Sequence, residues 1–226
     1  SISIPSTSAD LGSSQGEGCV MLDYYPKNRT KEQLDLIVRL AYMAEIKEWD
    51  CRPHIERIRR YCHLIGSEIG IEEQHNEMIA IACQLHDIGK IMIPEDLLHK
   101  DGKYDNHERE LIERHTIDGA KILEGSPAPL LQVAASIALT HQERWDGSGY
   151  PNHLKGDEIP LVGRICAIAD VFDALTTRRA YKPTIATEEA LQLIIESSNI
   201  LFDPSLVQAF KRQFDEIKKI RMAIGD

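Results

Sequence analysis

Residues 78–90 read MIAIACQLHDIGK, and this stretch indicates the fold class of the whole chain. Its residues Met78, Ala82 and Leu85 recur at helical spacing, which predicts a helix that runs into the His-Asp pair. Apolar runs of the same period lie on both sides of it. No segment alternates apolar and polar residues as a half-buried strand would, and no internal repeat is visible. The sequence therefore predicts an all-α domain.

Seven further helices are predicted from apolar spacing and from end signals such as caps, proline in a first turn and a closing glycine. In chain order, these signals are Thr30 as a cap, apolar positions in 55–69 closed by Gly70, a capping box of Asp105 and Glu108, Pro129 in a first turn, the run 161–175, Thr187, and Asp203-Pro204.

Composition limits the partners of the chain. Its 226 residues suffice for one substantial core. The net charge of −10 argues against DNA or RNA, whose backbone needs a basic face, but allows a small anionic substrate held by metal ions and a few cations. No apolar run approaches the length of a membrane span, so no membrane interaction is expected.

The five cysteines are spread without a Cys-x-x-Cys pair, which favours a reducing cytoplasm and buried thiols that act as small hydrophobes. They are Cys19, Cys51, Cys62, Cys83 and Cys166. The N-terminal stretch is rich in Ser and Gly and too polar to order itself. We therefore predict a linker or tail over 1–29 and one domain over 30–226, with a sensor or receiver domain upstream in a longer protein.

Six side chains offer nitrogen or oxygen ligands on or next to apolar faces. Asp170 lies inside the apolar run 167–171, where a carboxylate is costly to bury unless it is paired or bound to metal. Each residue alone could be a satisfied core group or a helix cap, but a metal site explains all six better. Such donors suit iron, manganese, zinc or nickel. The six are His54, His86, Asp87, His115, His141 and Asp170.

Two further segments are candidates for binding a substrate. The stretch 146–151, DGSGYP, is rich in turn residues and follows His141, so it is either a plain interhelical turn or a rigid loop that contacts a nucleotide. Arg179 and Lys182 lie one turn apart and suit a phosphate, although a solvated basic stretch would look the same.

Three motifs, HDIGK at 86–90, HQERWDGSGYP at 141–151 and IADVFDALT at 168–176, resemble the HD-GYP family of cyclic di-GMP phosphodiesterases. The resemblance covers about residues 50–210. It implies an HD-superfamily helical bundle with two or three divalent transition metal ions, iron or manganese first, that hydrolyses cyclic di-GMP to the linear dinucleotide, with a second cut to GMP left open. A second copy of the chain and a diguanylate cyclase are candidate protein partners.

The resemblance also assigns roles by position. The six residues above become metal ligands, with Asp87 as the bridging carboxylate and Lys90 as an anchor for the phosphate or the attacking water. Substrate contacts are implied for Gly149, Tyr150, Arg179 and Lys182.

This chain departs from the family pattern at two ligand positions. Gln142 stands where many members have a second His, and an amide oxygen is a weaker ligand than imidazole. Asp50 stands where members with three metals carry Glu, and it could instead cap the helix whose first turn contains Pro53. Two other interpretations stay open: a silent module that binds cyclic di-GMP or a partner without turnover, and a hydrolase of another cyclic dinucleotide.

Overall fold

The computed structural model describes residues 31–46, 51–178 and 184–225, which form helices and connecting turns. The helices are α1 Lys31–Glu45, α2 Arg52–Glu68, α3 Glu73–Cys83, α4 Glu95–Leu98, α5 Asn106–Glu113, α6 His115–Leu123, α7 Pro129–Thr140, α8 Leu161–Thr176, α9 Thr187–Glu196, α10 Pro204–Arg212 and α11 Phe214–Ile224. Short 3-10 segments cover Ile88–Met92 and Gly156–Glu158. Within the described ranges there is no strand, and no helix is long and apolar enough to cross a bilayer. The all-α prediction is confirmed.

The core lies between α2, α3, α7 and α8, and α6 packs on the outside of α7. Branched apolar residues at helical spacing are fully buried on these helices, among them Ile58 on α2, Ile137 on α7 and Ile168 on α8. Aromatic rings close the end next to α10, where Phe172 meets Phe210 edge to face at 5.1 Å between centroids. Each central helix therefore has one face in the core and can project a polar side chain from its margin.

Several predicted helix ends are correct. Asp105 and Glu108 form the capping box reciprocally, with both N–H to carboxylate distances at 2.9 Å. Pro129 occupies the first turn of α7. Gly70 follows α2 with φ of 81°, a left-handed conformation that favours glycine. The predicted cap at Thr30 and the tail 1–29 lie outside the described residues.

Three details of the prediction are wrong. The helix α3 ends at Cys83, and successive i→i+3 hydrogen bonds tighten the next residues into turns, so His86 and Asp87 lie beyond the helix. The helix predicted from the Asp105 capping box, which was expected to include His115, ends at Glu113, and His115 begins α6. Helix α10 is followed by a further helix, α11, which the end signals did not reveal.

Gly89 allows the turn after Asp87 to touch α6. A Cβ atom at Gly89 would lie 1.9 Å from the carbonyl oxygen of His115 and 2.5 Å from the amide nitrogen of Gly119. Both atoms belong to the backbone and cannot move aside cheaply. A side chain at this position would therefore separate the segment that carries Asp87 from the helix that carries His115.

A fully buried ion pair joins α2 to α8. Arg57 donates through Nε to Asp173 Oδ1 at 2.6 Å and through Nη2 to Asp173 Oδ2 at 2.9 Å, and neither side chain is exposed. Nη2 also donates to the hydroxyl of Thr177 at 2.9 Å. Although burial opposes ionisation, Arg57 and His54 hold the pKa of Asp173 well below its usual range. The pair stays charged, so each partner depends on the other.

We expect Asp173→Ala to destabilise the fold by about 3–5 kcal/mol, because it leaves the Arg57 guanidinium buried without its carboxylate. Asp157→Ala is the matched control. Asp157 also accepts from an arginine, Arg164 at 2.9 Å, but its side chain is 89% exposed, so the loss should be far smaller. Chemical unfolding of both variants measures the difference. Equal losses in the two variants would contradict the role given to the buried pair.

Candidate metal centre

Four histidine rings form a continuous row in the interior, with neighbouring centroids 5.1–5.5 Å apart. Each ring donates from Nδ1 to a carbonyl or carboxylate oxygen, and this directs its Nε2 atom to the centre. The donor and acceptor pairs are His54 to Asp173 at 2.7 Å, His86 to the Cys83 carbonyl at 2.9 Å, His115 to the Ile112 carbonyl at 2.7 Å, and His141 to the Ala138 carbonyl at 3.0 Å. These anchors fix the orientation of all four rings, so that their Nε2 atoms could bind a cation.

Asp87 lies between the nitrogens of this row. Its Oδ2 atom is 3.3 Å from His86 Nε2, and its Oδ1 atom is 3.3 Å from His115 Nε2 and 3.5 Å from His141 Nε2. The two oxygens thus face two different sets of imidazoles. This is the placement expected of a carboxylate that bridges two cations.

The ligand atoms fall into two groups, each with its members within 4.8 Å of one another. Group one is His54, His86 and Asp170, and group two is Asp87, His115 and His141. Every member is buried except Asp170, which is partly exposed. The structure therefore brings together all six residues that the sequence indicated as ligands.

Unsatisfied polar atoms inside these groups indicate that cations belong there. His86 Nε2 and Asp87 Oδ1 are buried and have no hydrogen-bond partner among the described residues. The Nε2 atoms of His115 and His141 are 3.3 Å apart, although each ring already carries its proton on Nδ1. Two lone pairs so close need a proton or a cation between them. The donor set of imidazole and carboxylate fits a divalent transition metal.

The electrostatic field of the centre favours positive charge. Burial alone would lower the pKa of His86, but the carboxylates of Asp87, Asp170 and Glu45 raise it to about 10. Burial also opposes ionisation of Asp87, yet Lys90, whose Nζ lies 2.7 Å from Oδ2, and His86 hold its pKa well below the usual range. A site that retains a proton so firmly would also attract a metal cation.

Glu45, at the end of α1, is a site residue that the sequence analysis missed. Its carboxylate is 2% exposed, and its Oε2 atom lies 3.7 Å from His54 Nε2. Burial raises its pKa. The signal was present, because Glu45 follows Ala41 and Ala44 on the face of α1 that is buried. The reasoning that identified Asp170 would have identified Glu45 too.

The Gly-Tyr-Pro loop lies beside group two. Its Tyr150 ring is 6.3 Å from the His115 ring, centroid to centroid. Burial, with the negative charge of Asp87, raises the pKa of Tyr150, so its phenol stays protonated and can donate a hydrogen bond at neutral pH. Gly149 is required here because a Cβ would lie 2.3 Å from the amide nitrogen of Arg144.

Glu143 fastens this loop and was also missed in the sequence analysis. Its carboxylate is 3% exposed and accepts from the backbone N–H of Asn152 at 2.7 Å and of Leu154 at 3.1 Å. Its position within the loop motif gave no indication of this structural role.

The remaining predicted residues have mixed outcomes. Gln142 follows His141 and is partly buried. Its backbone carbonyl accepts a hydrogen bond from the backbone N–H of Tyr150 at 3.2 Å. Across the described ranges its side-chain amide makes no hydrogen bond, so its role as a ligand stays a prediction. Asp50, Arg179 and Lys182 lie outside the described residues.

We expect Glu143→Ala to loosen the Gly-Tyr-Pro loop. Losing hydrogen bonds to a charged acceptor costs about 1.5–3 kcal/mol, so exchange of the Asn152 and Leu154 amide hydrogens should accelerate roughly tenfold to hundredfold. Glu158→Ala is the control, because among the described residues the Glu158 carboxylate accepts from the nearby Lys155 N–H alone, at 3.0 Å. Hydrogen exchange resolved to single amides tests this, and unchanged protection at both amides in Glu143→Ala would refute it.

Comparisons with known proteins identify the family of this chain. A family model described as HD domain matches residues 39–206. The 3'3'-cGAMP-specific phosphodiesterase 2 of Vibrio cholerae is 41% identical over 192 residues, which are 85% of this chain and 37% of that protein. A cyclic di-GMP phosphodiesterase of Thermotoga maritima is 43% identical over 181 residues, 80% of this chain and 49% of the relative.

A solved structure of a cyclic GMP-AMP specific phosphodiesterase of Vibrio cholerae has the same fold, with a TM-score of 0.61 at 23% identity over 85% of this chain and 51% of that one. The chain spans half or less of the length of the curated relatives named above. The family model alone covers most of the chain, and the HDIGK and Gly-Tyr-Pro segments both lie at the metal centre. The chain therefore belongs to the HD domain family and, within it, to the HD-GYP group.

Proposed function

We propose that this chain hydrolyses a phosphodiester bond of cyclic di-GMP, using two divalent transition metal ions, iron or manganese. The observation that carries the proposal is the position of Asp87, whose two carboxylate oxygens face two separate groups of imidazole nitrogens. One buried carboxylate shared by two cation sites would hold two ions close together, as two-metal phosphodiester hydrolysis uses them. The linear dinucleotide is the product, and a second cut would give GMP.

The proposed ligands follow from the two groups. One ion would be held by His54, His86 and Asp170, and the other by His115 and His141, with Asp87 shared. Asp50 and Gln142 are proposed as ligands for a weaker or third position. When bound, the two ions lower the pKa of a water molecule and neutralise charge on the phosphoryl oxygens.

Other residues of the chain position these groups and the substrate. Asp173 accepts from His54 Nδ1 and so keeps Nε2 available as a ligand atom. Lys90 lies 2.7 Å from Asp87 Oδ2, where it orients the carboxylate and adds positive charge for a phosphate oxygen. The Tyr150 phenol donates a hydrogen bond to the substrate, and Gly149 keeps the loop against the backbone of Glu143 and Arg144. Arg179 and Lys182 are proposed to bind phosphate from outside the described residues.

A second cyclic dinucleotide is favoured by one observation. A relative that covers 85% of this chain at 41% identity is named for 3'3'-cGAMP, whereas the Thermotoga maritima relative is named for cyclic di-GMP. The two molecules share the phosphodiester ring and differ in one base. The centre described above acts on the shared part, so 3'3'-cGAMP is the alternative substrate.

Anaerobically purified protein loaded with manganese or iron should hydrolyse cyclic di-GMP, and Asp87→Asn should lose metal and turnover together. The amide keeps the shape of the side chain but removes the charge shared by two ions. A loss of several kcal/mol corresponds to roughly a hundredfold or more in kcat. Asp96→Asn, at an exposed carboxylate on α4, is the control and should match the wild type.

Metal content by elemental analysis and kcat/KM for cyclic di-GMP and 3'3'-cGAMP measure these effects. A clear preference for 3'3'-cGAMP would change the substrate and keep the chemistry. A metal-loaded protein that binds both dinucleotides and hydrolyses neither would establish the silent module instead. Full metal content and activity in Asp87→Asn would refute the centre itself.

Gln142→His should raise metal content and, if a poorly occupied ion limits the wild type, raise turnover. The added imidazole binds iron or manganese more firmly than an amide oxygen. The difference between the variant and the wild type should shrink in excess metal, because mass action then fills the weak position in both. Metal content and turnover that are unchanged at limiting metal would exclude Gln142 from the ligand positions.

A further inference from the structure

Three thiols meet in the core next to the proposed metal centre. Cys62 on α2, Cys83 at the end of α3 and Cys166 on α8 are each 0% exposed. Their sulfur atoms lie within 4.8 Å of one another. We call these three residues the thiol cluster.

The thiol cluster and group one are built on the same elements. Cys62 lies two turns after His54 on α2, and Cys166 lies one turn before Asp170 on α8. The carbonyl of Cys83 accepts the hydrogen bond from His86 Nδ1 at 2.9 Å. An ion bound by the three sulfurs would therefore brace the three elements that present group one.

A plain packing role accounts for a buried thiol, but less well for this arrangement. Cys51 shows the plain case: it is fully buried, its Sγ approaches the Tyr42 carbonyl at 3.8 Å, and it is not part of the thiol cluster. The thiol cluster differs because three separate helices each direct one soft donor to a common point. Packing alone needs small apolar volume and no convergence of sulfur atoms.

The spacing of the sulfurs suits a tetrahedral or trigonal ion. A zinc ion with bonds of about 2.3 Å to sulfur places its sulfurs about 3.8–4.0 Å apart. Sulfurs already within 4.8 Å need shifts of about 1 Å or less. A divalent ion with three thiolates leaves one buried negative charge, whereas a monovalent ion leaves two, so the core favours the divalent ion.

We propose that Cys62, Cys83 and Cys166 form a second metal site, which takes one thiophilic divalent cation of the zinc and cadmium class. Burial raises the pKa of the Cys62 and Cys83 thiols well above its usual range, so the entering ion displaces their protons. Because no sulfur is exposed, the ion enters during folding or through transient opening of the helices. The site is distinct from the imidazole and carboxylate centre and does not depend on its activity.

Cadmium is the probe, because thiolate ligands give it an ultraviolet charge-transfer absorption that imidazole and carboxylate ligands do not. The full chain is refolded with increasing cadmium, and the absorption should saturate at one thiolate-bound ion per chain. Removing one of three ligands should weaken this binding by about tenfold or more and reduce the rise in melting temperature on loading. Cys83→Ser and Cys83→Ala are the test variants, and circular dichroism checks that each remains helical.

Cys51→Ala is the matched control, because it removes a buried thiol outside the thiol cluster and should leave the cadmium absorption unchanged. The proposal is overturned if the refolded wild type shows no thiolate absorption at saturating cadmium. It is also overturned if both Cys83 variants keep the wild-type absorption, since the signal would then come from other thiols. The measurement involves no hydrolysis, so its result is separate from that of the proposed function.

Discussion

The structure depends on a carboxylate that is buried among imidazoles. Asp87 is 5% exposed, and it lies in a turn that Gly89 allows to pack directly on α6. A buried charge is tolerated only when it is paired, hydrogen-bonded or bound to metal. The Lys90 ammonium pairs with Oδ2 at 2.7 Å, whereas Oδ1 faces the Nε2 atoms of His115 and His141 without a hydrogen bond and is left for a cation. The fold places Asp87 at the site, and the groups of the site in turn make its buried charge tolerable to the fold.

The outer contacts determine which atoms the centre presents. A neutral imidazole has one N–H donor and one nitrogen lone pair. When Nδ1 donates its hydrogen to a nearby oxygen, the lone pair of Nε2 remains available to a cation. Three of the rings donate from Nδ1 to the backbone carbonyl three residues earlier in the chain. His54 instead donates to the Asp173 carboxylate, which also accepts from Arg57 on α2. This fully buried pair joins α2 and α8 while it sets the orientation of a ligand. Stability and ligand geometry therefore rest on the same two side chains.

The local features were predictable from the sequence, and the long-range contacts were not. Periodicity identified the all-α class, and the capping box at Asp105 and the proline at Pro129 marked helix starts, because these signals act within one turn. The six candidate ligands were recognisable as polar residues on or next to apolar faces, and their role as ligands stays a prediction. The role of Glu143 was missed because its partners are backbone amides in a loop. The end of α3 was misplaced because the apolar spacing continues past Cys83, where the backbone changes from helical hydrogen bonds to i→i+3 turns. The spacing of apolar residues does not distinguish the two.

Charge balance around Asp87 explains why this centre is a cation site whichever ion enters it. Among the described residues, the carboxylates of Glu45, Asp87, Asp170 and Asp173 outnumber the cations Arg57 and Lys90. Because the site is buried, this excess of negative charge favours the protonated form of a nearby imidazole. The pKa of His86 is raised to about 10 for this reason. A metal ion must displace such protons, so its apparent affinity increases with pH until they are lost. The proton on His86 therefore offsets part of the buried negative charge until a metal ion replaces it.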